Sequence, residues 1–243
     1  MAHANSFARI RWRVRTVNQL SLVHTMREAA PGANAPGERP PLLILLHGVG
    51  SNERSMERVV RALDRRFVVV NARSPLAFGA DSFGWFHVTF TAAGSVIDAQ
   101  EAERGWHLLS AFIDEAVVAY GADPERVYVA GFSQGGIMAL TALLTAPSKV
   151  AGVASMSGRL LPEVLPHVAD REALRGKRVL IVHGEQDATL GIHLARWAVS
   201  QLESFPLALE YHELQMGHVI TQESLEILSR WLSESLDSAL SRT

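Results

Sequence analysis

The chain has 243 residues, 48% of them hydrophobic and 20% charged, and a formal net charge of −2. These proportions are typical of a globular domain and exclude a disordered chain, and without a basic excess there is no overall electrostatic footprint for nucleic acid. The absence of cysteine excludes disulfide scaffolds, thiolate zinc sites, iron–sulfur clusters and a cysteine nucleophile.

No apolar segment approaches the roughly 18 residues of a membrane span, and the first twenty residues lack the apolar stretch of a signal peptide. We therefore expect a cytoplasmic protein with no membrane span and no nucleic-acid partner. A homodimer is compatible with this composition.

The first predicted element is an antiparallel hairpin at about residues 7–28. Arginines alternate with apolar residues from 9 to 15, which is the period of a strand with one face in water, and a second strand follows at about 20–27. A loop rich in Pro, Gly and Ala then leads to a strongly apolar strand at 42–46.

Strands and helices alternate from residue 42 to the C-terminus. Short apolar runs predict strands at 67–70, 127–130, 150–155, 178–182 and 207–214, and apolar stripes predict helices at 56–63, 98–120, 134–145, 192–202 and from about 225. Nearly all-apolar interior strands are typical of a mostly parallel central sheet that helices flank on both faces. We expect one α/β domain over residues 1–243, with the hairpin at the sheet edge and a core at about 41–237.

A nucleophile is predicted where the apolar strand at 127–130 runs into Gly131, Phe132, Ser133, Gln134 and Gly135, followed by a helix. In this G-x-S-x-G pattern a sharp strand-to-helix turn exposes the serine hydroxyl, and glycines permit the close backbone approach. The Gln134 amide would then face a developing oxyanion. The alternative is a glycine-rich helix entry that only packs on the strand.

A serine nucleophile needs a base and an orienting acid, in the chain order serine, acid, histidine for such a fold. His218 is the predicted base because it lies in a turn between a strand and a helix, unlike His167, His183, His193 and His212. Asp187 is the predicted acid because it follows the strand at 178–182, and Glu185 is its nearest competitor.

The second oxyanion donor is predicted in the loop after the strand at 42–46, where His47, Gly48, Val49 and Gly50 follow one another. Glycine lets this backbone turn inward, so that the Val49 amide is the candidate donor. His47 is expected to bond to the loop backbone rather than to a metal, since no second histidine accompanies it at ligand spacing.

These motifs together resemble the α/β-hydrolases of the phospholipase/carboxylesterase family, which includes bacterial carboxylesterases and acyl-protein thioesterases. The resemblance extends over about 41–235 and rests on the motifs at 46–50, 131–136, 183–187 and 216–218. It implies an α/β-hydrolase fold, a Ser133, Asp187 and His218 triad, and an oxyanion hole of the Val49 and Gln134 amides. The chain departs from the family pattern at His87 and at 188–191, which leaves the substrate open.

The long connection at 72–97 is predicted to bind substrate, because loops at the carboxyl ends of α/β strands commonly do so. Phe83, Trp85 and Phe86 would form an apolar wall for an acyl chain or an aryl ester. The alternative is that these rings only cover the sheet edge. No insertion after residue 155 is long enough for a large lid domain, so we expect an open, shallow cleft.

The predicted activity is a cofactor-free serine hydrolase that cleaves small-molecule carboxylic esters, or thioesters, through an acyl-enzyme. A peptidase and a dienelactone-type hydrolase remain as alternatives that use the same apparatus. A non-catalytic ligand-binding protein on the same fold is a third alternative.

Overall fold

The computed structural model describes residues 20–91 and 94–240 of the chain. Its strands are β1 (His24–Arg27), β2 (Leu42–Leu46), β3 (Val68–Ala72), β4 (Leu76–Gly79), β5 (Ser82–Gly84), β6 (Val88–Thr91), β7 (Gly94–Ile97), β8 (Val127–Phe132), β9 (Gly152–Met156), β10 (Arg178–Gly184) and β11 (Ala208–Leu214). Its α-helices are α1 (Glu57–Ala62), α2 (Ala99–Tyr120), α3 (Gln134–Thr145), α4 (Ile192–Leu202) and α5 (Gln222–Leu240). Short 3-10 helices lie at Pro147–Lys149, Pro162–His167 and Arg171–Leu174.

The central sheet has seven strands in the spatial order β1-β3-β2-β8-β9-β10-β11. Strand β1 pairs antiparallel with β3, and every other neighbouring pair in this sheet is parallel. The predicted parallel sheet with an antiparallel strand at its N-terminal edge is thereby confirmed. The first arm of the predicted hairpin, at 7–15, lies outside the described residues.

Two hydrophobic cores lie on opposite faces of the sheet, because successive residues of a strand point to opposite sides. Leu42 and Ile44 of β2 join the core that contains the buried faces of α2, α3 and α4. Leu43 and Leu45 join the core beneath α1 and α5. Both faces of β2 are therefore buried, which explains its uninterrupted apolar sequence.

The two ends of helix α2 follow from local sequence signals. The Asp98 carboxylate accepts a hydrogen bond from the Glu101 amide and caps the start of α2, and Gly121, with a φ of 59°, caps its end. Such an N-cap and a left-handed glycine are standard helix ends. None of the helices in the described ranges is both long and apolar enough to span a membrane.

The connection at 72–97 contains two small antiparallel hairpins, β4 with β5 and β6 with β7, which were not predicted. Their strands are only three or four residues long and are rich in glycine and small polar residues. Such strands are too short to show the alternation of apolar and polar residues by which a strand is recognised in a sequence.

Candidate active site

Ser133 lies at the sharp turn between β8 and α3, in a strained conformation with a φ of 54°. The turn requires glycine on either side. A Cβ on Gly131 would lie 2.2 Å from the carbonyl carbon of Gly135, and a Cβ on Gly135 would lie 2.2 Å from the Leu46 carbonyl oxygen. The chain therefore folds tightly enough to hold the Ser133 hydroxyl at the carboxyl edge of the sheet.

Two hydrogen bonds connect the three predicted triad residues. The Ser133 hydroxyl lies 2.9 Å from His218 Nε2, and His218 Nδ1 lies 2.7 Å from Asp187 Oδ2. The Asp187 side chain is fully buried, and its other oxygen accepts the amides of Thr189 at 2.9 Å and Leu190 at 2.8 Å. The carboxylate is thus fixed, and with a proton on His218 Nδ1 bonded to it, Nε2 would be able to accept the Ser133 hydroxyl proton.

The loops that present the acid and the base pack directly on each other. The Gln186 amide donates to the Met216 carbonyl at 3.1 Å, and the Glu185 amide donates to the Leu214 carbonyl at 2.9 Å. A Cβ on Gly184 would lie 2.2 Å from the Met216 carbonyl oxygen, so this close contact requires glycine. The distance between Asp187 and His218 is therefore set by the backbone.

The competing residues have other contacts. The Glu185 carboxylate accepts a hydrogen bond from the Gln215 amide at the surface, and His212 bonds to Glu210. His183 is fully buried, and its Nε2 donates to the Leu190 carbonyl at 2.6 Å. Burial lowers the pKa of His183, and its Nδ1 has no partner among the described residues to accept a second proton. His183 therefore supports the loop after Asp187 in its neutral form.

The loop after β2 passes directly over the nucleophile. A Cβ on Gly48 would lie 3.3 Å from the Ser133 Cβ. Gln134 opens α3, where helix geometry leaves the first amides without intrahelical acceptors. Within the described residues, the Val49 amide donates to no protein acceptor either. Val49 and Gln134, whose amides are the predicted oxyanion donors, both line the cavity beside Ser133.

His47 stabilises the same loop. Its Nδ1 donates to the Gly48 carbonyl at 2.8 Å, and its Nε2 accepts the Ser74 amide at 3.1 Å. The prediction that His47 bonds to the loop backbone is confirmed. Burial lowers the pKa of His47, which favours the neutral imidazole that this pair of bonds requires.

Residues 33–236 match the model of the phospholipase/carboxylesterase family. The chain belongs to this family. The resemblance seen in the motifs is thereby confirmed, together with the hydrolase class and the α/β-hydrolase fold that it implies.

Several known proteins are similar to this chain over most of their length. A probable carboxylesterase, SOBER1-like, from Arabidopsis thaliana is 27% identical over 212 residues, which are 82% of this chain and 80% of that protein. An acyl-protein thioesterase 1 from Kluyveromyces lactis is 25% identical over 233 residues, which are 89% of this chain and 98% of that protein. The solved structure of a carboxylesterase from Mesorhizobium loti superposes with a TM-score of 0.74 at 24% identity, covering 89% of this chain and 97% of that one. That structural likeness shows the shared fold.

Two cavities flank the candidate triad of this phospholipase/carboxylesterase family member. The Ser133 cavity has a volume of about 50 Å³ and is lined by Phe86, Val88, Ile97, Ile137, Arg159 and Leu190 beside the hydroxyl. The His218 groove has a volume of about 350 Å³, and its apolar lining is Met56, Val59, Phe132, Val219, Ile220 and Leu225. Val49 borders both cavities.

The three aromatic residues predicted to bind substrate lie in different places. Phe86 lines the Ser133 cavity. Trp85 is buried in the core, where a Cβ on Gly105 would lie 3.4 Å from its ring, and the ring of Phe83 lies beneath the Arg73 guanidinium at 4.4 Å. Among the described residues, the lining of this cavity is therefore mainly aliphatic, with the ring of Phe86, rather than the expected aromatic wall.

The Gln134 side chain has a role that was not predicted. It is buried, its Oε1 accepts the Trp85 amide at 2.7 Å, and its Nε2 donates to the Phe86 carbonyl at 2.8 Å. Gln134 therefore fastens the wall of the Ser133 cavity to the start of α3. A polar residue that opens an otherwise apolar helix is the signal that could have revealed this.

Proposed function

We propose that the protein hydrolyses carboxylic esters or thioesters through an acyl-enzyme formed on Ser133. The observation that supports this most directly is the pair of hydrogen bonds at 2.9 and 2.7 Å that links Ser133, His218 and Asp187. The amides of Val49 and Gln134 beside the hydroxyl supply the donors that such a reaction requires.

The reaction begins when the Ser133 oxygen attacks the substrate carbonyl carbon and its proton passes to His218 Nε2. Asp187 keeps the other imidazole proton on Nδ1 and stabilises the positive charge that forms. The carbonyl oxygen becomes an oxyanion, which the Val49 and Gln134 amides bind. Each such donor typically contributes on the order of 100- to 1000-fold in rate.

The tetrahedral intermediate collapses when the bond to the leaving oxygen or sulfur breaks. His218 gives its proton to that atom, and the alcohol or thiol departs from the acyl-enzyme. A water molecule then loses a proton to His218 Nε2 and attacks the acyl carbon. The second collapse returns the proton to Ser133 and releases the carboxylic acid, which restores the free enzyme.

The two cavities divide the substrate between them. The leaving atom must receive its proton from His218, so the leaving group occupies the His218 groove of about 350 Å³. The acyl group then occupies the Ser133 cavity of about 50 Å³. This is far below the roughly 300 to 1,000 Å³ of pockets that hold drug-sized ligands, so the cavity favours short acyl groups. We therefore expect acetyl and butyryl esters to be better substrates than palmitoyl esters.

The decisive experiment replaces Ser133 with alanine. Turnover of p-nitrophenyl acetate is expected to fall by a factor on the order of 10⁴ to 10⁶ while the circular dichroism spectrum stays that of the wild type. Ser200→Ala, which removes an exposed hydroxyl from α4, is the matched control and should retain wild-type turnover.

A fluorophosphonate probe separates an enzyme from a ligand-binding protein. The wild type should be labelled on the peptide that contains Ser133, as shown by mass spectrometry, and Ser133→Ala should not be labelled. Unchanged turnover in Ser133→Ala, or labelling at another residue, would refute the proposed nucleophile.

A further inference from the structure

Arg159 reaches the Ser133 cavity from the turn that follows β9. Ser157 in this turn has a φ of 49°, in the strained left-handed region. A Cβ on Gly158 would lie 2.4 Å from Ser155 Oγ and 3.0 Å from the carbonyl carbon of Gly136. The turn is therefore pressed against the start of α3, which brings the arginine to the same edge of the sheet as Ser133.

The guanidinium of Arg159 is half-buried and has no partner in the described part of the chain. No side chain or carbonyl there accepts a hydrogen bond from it, and the nearest acidic influence is the longer-range charge of Glu163. Burial lowers the pKa of Arg159, and the charge of Glu163 offsets only part of this effect.

The other buried and half-buried arginines of the described chain all have protein partners. These are backbone carbonyls, carboxylates or an aromatic ring, and they are contacted by Arg27, Arg66, Arg73, Arg126 and Arg178. Arg159 differs from this set in that it has no such partner among the described residues and lines the cavity beside Ser133.

An arginine in such a place is suited to an anionic ligand. A buried charge without a partner is unfavourable, and the planar guanidinium binds a carboxylate through two parallel hydrogen bonds. Val88, Ile97 and Ile137 line the same cavity with apolar groups, which strengthen an ion pair there by excluding water. No acidic side chain in the described ranges lines the cavity and competes for the guanidinium.

We propose that Arg159 binds a carboxylate carried by the acyl part of the substrate. The preferred substrates are then hemiesters or hemithioesters of short dicarboxylic acids. This inference rests on the proposed function, because it uses the assignment of the acyl group to the Ser133 cavity. Arg159 is a specificity-determining residue, and it takes no part in proton transfer.

The test compares three esters of similar size. Monoethyl glutarate has a carboxylate on its acyl part, ethyl pentanoate is its neutral counterpart, and β-acetoxypropanoate has its carboxylate on the alcohol part. Hydrolysis of each is followed by proton NMR. The wild type should show a kcat/KM for monoethyl glutarate about 10- to 100-fold above that for ethyl pentanoate, as expected for hydrogen bonds to a charged group.

Three variants locate the source of this preference. Arg159→Met should lower the ratio of the two kcat/KM values at least about tenfold, and Arg159→Lys should restore part of it, because lysine keeps the charge but loses the paired geometry. Arg104→Met removes the same charge from the exposed face of α2 and should keep the wild-type ratio.

The inference is overturned if the wild type hydrolyses ethyl pentanoate but shows no preference for monoethyl glutarate, or if Arg159→Met leaves the ratio unchanged. It is also overturned if β-acetoxypropanoate is the ester whose hydrolysis depends on Arg159. In each of these cases the proposed function itself stands.

If instead no ester is hydrolysed and no fluorophosphonate labels Ser133, the proposed function fails, and the arginine is tested by binding alone. Isothermal titration calorimetry should then detect glutarate binding to the wild type and a loss of at least about tenfold in affinity in Arg159→Met. Equal binding by the two proteins, or none by either, would overturn the assignment of Arg159.

Discussion

Replacing Asp187 with asparagine tests how the acid controls the base. The side-chain oxygen of the asparagine must stay where Oδ1 now accepts the Thr189 and Leu190 amides, because an NH₂ group there would face two donors. The NH₂ group is then forced toward His218 Nδ1, where Oδ2 now lies at 2.7 Å. That nitrogen must become an acceptor, so the imidazole proton moves to Nε2 and faces Ser133.

The size of the effect follows from this change of tautomer. An imidazole that carries its proton on Nε2 cannot accept the Ser133 proton, so the general-base contribution of about 10² to 10⁴ is lost. The same replacement in a serine protease triad lowers kcat by about 10⁴. The two amide bonds to Oδ1 survive, and we therefore expect the free energy of unfolding to fall by less than about 2 kcal/mol.

The assay is steady-state hydrolysis of p-nitrophenyl acetate, with urea denaturation run in parallel. Glu185→Gln is the matched control, since it makes the same change of a carboxylate to an amide two residues away, at a side chain that does not contact His218. The control should retain wild-type turnover. Turnover of Asp187→Asn within about tenfold of the wild type, or an equal loss in Glu185→Gln, would refute the reasoning.

Two further predictions concern stability. Gly135→Ala should lower the free energy of unfolding by more than about 3 kcal/mol in urea denaturation, because its Cβ would meet the Leu46 carbonyl at 2.2 Å and backbone cannot move aside cheaply; wild-type stability would contradict this. Burial lowers the pKa of both His47 and His183 below the ordinary 6.5. As the pH falls, these histidines are therefore protonated in the unfolded chain before they are protonated in the folded protein. The free energy of unfolding should then decrease as the pH is lowered from about 7.5 to 5. His183→Gln should lose less stability over this range in urea denaturation, and an unchanged dependence would count against the buried neutral imidazole.

Much of the fold could be predicted because its signals are local. The apolar run of β2 and the helices α3 and α4 were placed at their observed ends, 42–46, 134–145 and 192–202. Strand β2 and helix α3 are buried almost throughout, and α4 buries a regular stripe of residues on one face, so the apolar pattern of each segment reports on its environment. The order of strand, turn and helix around Ser133 was visible for the same reason.

What could not be predicted depends on contacts between distant segments. Which of Phe83, Trp85 and Phe86 faces the cavity depends on how an irregular connection is held, and that is decided by the Gln134 side chain 48 residues away from Phe86. The sequence also could not predict that Arg159 has no partner among the described residues, because the absence of a contact leaves no pattern in a sequence. The cytoplasmic location and the homodimer stay predictions.

The loop that follows Asp187 both holds the acid and lines the cavity, which has consequences for engineering and for divergence within the family. Thr189 and Leu190 hold the carboxylate with their amides and at the same time line the Ser133 cavity. A mutation of Thr189 or Leu190 that widens the cavity would also shift the Asp187 carboxylate. It would therefore broaden the range of substrates and lower the turnover rate. Val88 and Ile97 on the opposite hairpin have no such tie to the acid. Variants with altered acyl selectivity and intact turnover are therefore to be sought on that hairpin.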